Sequence, residues 1–174
     1  MQTPSRRAAT LVGSSLVTAF ALAATAGCGA DDVGAAGDGV QVVASTNVYG
    51  DLVQTVGGDR VQVTSVIEDP SADPHSYEAS ARTQLAVSEA DLVVENGGGY
   101  DDFMGTLLSA TDATPTLLTA VDVAGLDPEA EGFNEHVWYD LPAMSELTGQ
   151  VADALGEIDP EGAEGYAEIG RAHV

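Results

Sequence analysis

Two histidines in this sequence sit where a metal ligand could sit. His75 stands in the run Ala72-Asp73-Pro74-His75-Ser76-Tyr77-Glu78, and His136 in Asn134-Glu135-His136-Val137-Trp138-Tyr139-Asp140. Neutral imidazole is a donor for Zn2+ and other first-row ions, and carboxylates complete such sites. Pro74 fixes its own φ and biases Asp73 away from the α region. Asp73 is therefore expected to be extended, with no helix beginning before His75. We expect His75 and His136 to hold one transition-metal ion between them. A ligating histidine gives its other ring N–H to a carboxylate or carbonyl, and Asp73, Glu78, Glu135 and Asp140 are the local candidates. A histidine in a polar loop is more often a surface residue than a ligand, so each one taken singly supports either reading. Two donors also fall short of the four in a closed zinc site.

The elements that must position these residues alternate between strand and helix. A β-branched run at 40–46 reads as a strand, followed by a helix capped by Asn47, with Val48, Leu52, Val53 and Val56 at helical spacing and Gly57-Gly58 at its end. A second strand at 61–67 leads into the loop bearing His75. Ser80 or Thr83 opens the next helix, and a short apolar strand at 91–94 runs into Asn96-Gly97-Gly98-Gly99. Asp101-Asp102 are expected to start a further helix, where acidic residues suit the dipole. A fourth strand is read at 116–119, a long acidic loop at 120–135, and an amphipathic helix at 141–158 with Met144, Leu147, Val151 and Leu155 on one face. Pro160 suits the first turn of another helix near Glu161. The fold class is therefore α/β, a roughly four-stranded parallel sheet flanked by helices. In open parallel sheets, ligands bind beyond the carboxyl ends of the strands. His75, the Asn96 turn and His136 should thus share one rim.

Charge and cysteine narrow the function. The 174 residues carry 28 acidic and 5 basic side chains, a net charge of −23, with no lysine. Such a field repels phosphate backbones, which excludes nucleic acid as a partner; the acidity reads as a solvated surface that also concentrates cations. Glycine-rich turns can cradle anions. Here no lysine follows Gly97-Gly98-Gly99, so it reads as a permissive turn that lets backbone approach its neighbours.

At the N-terminus, Arg6-Arg7 precede an apolar run to Ala26, and Thr25-Ala26-Gly27-Cys28 closes it. This resembles a bacterial lipoprotein signal, although leucine is commoner where Thr25 stands. The resemblance implies a signal peptide over 1–27, with Cys28 lipidated as the mature N-terminus. The run is also about long enough to cross a bilayer as a helix, but the cysteine falls where processing needs it. Export by the general secretory or the twin-arginine route is open. Residues 28–39 read as a flexible tether, and the domain is expected outside the cytoplasm, anchored to the outer face of the cell membrane. Lipid use of the lone cysteine leaves no disulfide.

Three stretches in order carry a wider resemblance: Ala72 to Glu78, then Ala90-Asp91-Leu92-Val93-Val94-Glu95-Asn96-Gly97, then Glu135 to Asp140. Together they resemble the zinc/manganese class of ABC-transporter solute-binding lipoproteins. Where that family carries Asp-Pro before its second histidine, this sequence has Asn134-Glu135. The resemblance implies His75 and His136 as the first two ligands for Zn2+ or Mn2+, and a monomer serving an ABC permease. It implies that 40–158 is the N-terminal lobe of a two-lobed fold, that 159–168 begins the linking helix, and that a second lobe with two further ligands is missing. The last residues, Ile169-Gly170-Arg171-Ala172-His173-Val174, match a reading frame of a common sequencing adapter, so 169–174 is expected to be read-through of a truncated gene. His173 then belongs to no site.

The expected function is capture of a divalent transition metal outside the cytoplasm and delivery to the permease, without enzymatic activity. A rival is a metal-dependent hydrolase in which Glu78 or Glu135 acts as general base toward a metal-bound water. No His-Glu-x-x-His helix, Gly-x-Ser-x-Gly elbow or phosphate loop supports it. A third reading is a cell-adhesion lipoprotein whose histidines are incidental.

Overall fold

Runs of β-branched and apolar residues become four strands: β1 (Val40–Thr46), β2 (Val61–Ile67), β3 (Leu92–Glu95) and β4 (Thr116–Thr119). The structure is a computed structural model that describes residues 39–172. The signal peptide expected over 1–27, the lipidation expected at Cys28 and His173 lie outside the described residues. All strand pairs are parallel, in the order β2-β1-β3-β4. The register places Val42 beside both Val63 and Leu92.

Among the described residues, six α-helices connect and cover the strands: α1 (Asn47–Gly57), α2 (Ala81–Ser88), α3 (Phe103–Ser109), α4 (Ala120–Val123), α5 (Leu141–Ile158) and α6 (Ala163–Ala172). Side chains alternate across a sheet, and on β1 and β3 both sets are apolar because both faces are covered. Val42, Ala44, Leu92 and Val94 pack with Val53 of α1 and Val151 of α5. Val43 and Val93 face the other way, onto Val87, Met104 and Leu107 of α2 and α3. Each such buried Val or Leu contributes about 1.5–3 kcal/mol relative to exposure. This two-sided burial holds the carboxyl ends of β1 and β3 rigid, and the strand order reverses between them.

Four local readings are corrected. Helix α1 begins at Asn47, so Thr46 is the N-cap residue, and its side chain makes no capping bond. Residues 120–135 are not loop throughout: burial of Ala120 and Val121 folds the short α4, and the Val121 N–H donates to the Asn96 carbonyl at 3.0 Å. Helix α3 starts after Asp102, whose side chain makes no capping bond. Pro160 lies in a turn, and α6 begins only at Ala163. Helix α6 includes residues 169–172 and packs along α5 through Gly170, where a Cβ would come within 2.9 Å of the Ala152 Cβ. At the α5–α6 junction the Asp159 carboxylate accepts from Arg60 at 2.8 and 3.0 Å and from the Tyr166 hydroxyl at 2.7 Å. Among the described residues, no helix is long and apolar enough to cross a membrane.

Candidate metal centre

The connection after β2 presents His75 on a single 3-10 turn, Pro74–Ser76. Asp73 is extended, with φ −88° and ψ 111°, as a residue before proline should be. Its carboxylate accepts the His75 backbone N–H at 3.1 Å and so caps the turn. His136 lies in the connection between α4 and α5, just before a second 3-10 turn, Val137–Tyr139. Its backbone N–H and ring Nδ1 both meet Asn134 Oδ1, at 3.0 and 2.7 Å. A carbonyl oxygen can only accept, so the ring proton is assigned to Nδ1, which leaves the Nε2 lone pair outward.

Asn96, at the end of β3, ties the second loop to the sheet. It is fully buried, and its side-chain NH2 donates to the carbonyls of Gly97 and Glu135, both at 2.8 Å. Its Oδ1 accepts from the Tyr49 hydroxyl of α1. The segment bearing His136 is thereby pinned at the reversal point between β1 and β3. Beyond Asn96 the chain turns through Gly97, Gly98 and Gly99, all at positive φ. Asp101 stabilises this turn by accepting the N–H groups of Asn96 and Gly97 at 2.7 and 2.8 Å. Burial pushes the Asp101 carboxyl up, and these two N–H groups pull it back.

The turn delivers Tyr100 between the two histidines. Its ring makes edge contacts with His75 at 5.5 Å and His136 at 5.9 Å, and meets Trp138 at 4.7 Å. Trp138 in turn contacts His136 at 5.0 Å. Partial burial raises the Tyr100 hydroxyl above its ordinary pKa, helped by the Asp101 and Glu135 carboxylates, so it stays neutral. Glu135 closes the arrangement: its Oε1 stands 3.1 Å from His75 Nε2.

His75 and His136 therefore share a rim and one intervening ring, as the strand order requires. His75 lines a cleft of about 320 Å3 and His136 one of about 760 Å3. Among the described residues, no three His, Cys, Asp or Glu side chains stand together as a metal-holding group.

The expected partners of the imidazoles are redistributed. Asp140 caps α5 by accepting the Ala143 N–H at 3.2 Å, Asp73 caps its own turn, and Glu78 is exposed. Glu135 reaches the histidine of the other loop, and Asn134 serves His136. The Asn96 turn was expected on this rim, whereas Tyr100 was not singled out by pattern reading. Its adjacency to the glycine turn at a strand end was the available signal.

Residues 42–173 match the family model described as ZnuA, zinc-uptake complex component A, periplasmic. The chain is 31% identical over 152 residues to the manganese-binding lipoprotein MntA of Halalkalibacterium halodurans, a match covering 86% of this chain and 50% of that protein. It is 32% identical over 146 residues to MntA of Bacillus subtilis, covering 78% and 47%. Among solved structures, a periplasmic metal binding protein from Candidatus Liberibacter asiaticus superimposes with a TM-score of 0.66 at 25% identity, covering 76% of this chain and 50% of that one. The chain spans about half the length of the curated relatives it matches.

Proposed function

The chain belongs to the ZnuA family of metal-uptake components, and from that premise we propose that it captures a divalent transition metal outside the cytoplasm for delivery to an ABC permease. The supporting observation is the placement of His75 and His136 on one rim of the sheet, both against Tyr100. Each imidazole enters from a separate loop. Asn134 acts on His136 as the partner that fixes ring orientation. The chain works as a binding protein rather than an enzyme, acts as a monomer, and is held at the outer face of the membrane by lipid on Cys28.

Both Mn2+ and Zn2+ suit imidazole and carboxylate donors; the names of the two MntA relatives support Mn2+, and the family description supports Zn2+. Donors must be deprotonated to bind, so affinity falls as the imidazoles protonate in acid. Calorimetric titration of the chain with Mn2+ and Zn2+, repeated on His75→Ala and His136→Ala, tests this. Each substitution is expected to weaken binding at least ~10-fold. Unchanged affinity in both variants would overturn the assignment.

A further inference from the structure

We propose that Asp101 is a positioning residue for metal capture: its buried carboxylate fixes the glycine turn and the loop of His136, and so sets where the imidazoles stand and how tightly they hold a divalent cation. This deepens the capture reading and rests on it. Three consecutive glycines have more backbone freedom than any other tripeptide. Gly97, Gly98 and Gly99 nonetheless all hold positive φ, at 77°, 63° and 90°. A group outside the glycines must select that shape. Asp101 does so with both oxygens: Oδ2 accepts the Asn96 N–H at 2.7 Å, and Oδ1 accepts the Gly97 N–H at 2.8 Å.

This grip reaches the histidines by two routes. Beyond the turn, the Tyr100 N–H donates to the Gly97 carbonyl at 3.2 Å, and the Tyr100 ring lies edge-on to His75 and His136. Before the turn, the Asn96 side chain donates to the Glu135 carbonyl at 2.8 Å, one residue ahead of His136. Asp101 itself is 2% exposed, and among the described residues no arginine or lysine pairs with it. A buried carboxylate without a cationic partner is costly, so it is a poor choice for stability alone. It supplies what a neutral amide cannot, two acceptor oxygens side by side for two consecutive N–H groups.

Asp101→Asn is the discriminating substitution. The size is kept, but one oxygen gives way to an NH2 group that confronts a backbone N–H with a second donor. The turn is expected to open, and Tyr100 to leave its place between the imidazoles. Proton NMR of the metal-free chain reads this directly, because the Tyr100 ring shifts the imidazole C–H resonances of both histidines. His75→Ala and His136→Ala assign those resonances, and both are expected to move in Asp101→Asn. Zn2+ calorimetry is expected to show ~10-fold weaker binding, the loss usual for a group one step removed from the ligands. Asp101→Glu keeps both oxygens but carries them one methylene further out; it should move the same resonances by less, and it decides the matter if the amide variant does not fold. Val53→Ala opens a cavity in the core at α1 and serves as the control. It should lower the urea midpoint while leaving the resonances and the affinity unchanged. Asp101 variants that behave like Val53→Ala overturn the positioning role. Undiminished Zn2+ binding in both histidine variants, or none by the unsubstituted chain, overturns the capture reading instead. The imidazole resonances then decide by themselves whether Asp101 positions the rings.

Discussion

A buried amide satisfied on every side resists replacement, and Asn96 is such a group, bonded to Tyr49, Gly97 and Glu135. Asn96→Ala is expected to cost about 2–4 kcal/mol, because it strands a buried tyrosine hydroxyl and frees the His136 loop. Tyr49→Phe leaves only the Asn96 Oδ1 unsatisfied and should cost about 1–2 kcal/mol. Urea unfolding midpoints of the two variants check the order, and an equal loss would contradict it. Asn134→Ala should behave differently. It removes an exposed partner of His136, so metal affinity falls ~10-fold while the unfolding midpoint stays put. The turns beside His75 and His136 were legible because their chemistry is written within a few adjacent residues. The bond from Asn96 to Glu135 crosses 39 positions of chain, and nothing local to either residue announces it.

At the scale of elements, legibility follows the same divide. The bounds of β1, β2, β4 and α5 were readable because a β-branched run, or an apolar stripe led by Asp140 and Pro142, signals itself within one window. The four residues of α4 are too few to show a period, and their helix is set by the burial of Ala120 and Val121. The tie from Arg60, just before β2, to Asp159, between α5 and α6, is equally non-local. It predicts a pH dependence. Arg60, and then Tyr166, hold the Asp159 carboxyl down at about 2. A carboxyl whose folded pKa lies below its unfolded value of about 3.9 contributes stability above that value. The contribution is lost as pH falls toward 2. Thermal melts of Arg60→Gln should therefore lie slightly below the unsubstituted protein at pH 6, by a few degrees at most because the pair is exposed. The gap should close between pH 4 and pH 2. A gap that persists at pH 2 would mean that Arg60 acts through packing of its stem.

For the whole molecule the governing quantity is the net charge of −23. A field of that sign draws cations toward every face, so attraction alone cannot distinguish a site from a surface. Rates can. Long-range attraction speeds encounter and is screened by salt, whereas contacts within a coordination shell set the rate of escape. The screening length falls from about 30 Å at 0.01 M salt to about 8 Å at 0.15 M and about 3 Å at 1 M. The single tryptophan, Trp138, contacts His136 at 5.0 Å, so its fluorescence reports on an ion arriving there. In stopped-flow mixing with Zn2+, the association rate should fall ~10-fold or more between 0.01 and 1 M NaCl. The dissociation rate, followed by mixing the loaded chain with chelator, should change little. A salt-dependent escape rate would place the ion in the diffuse atmosphere of the acidic surface. An unchanged one places it within bonding distance of the histidines, because only short bonds outlast the loss of the field.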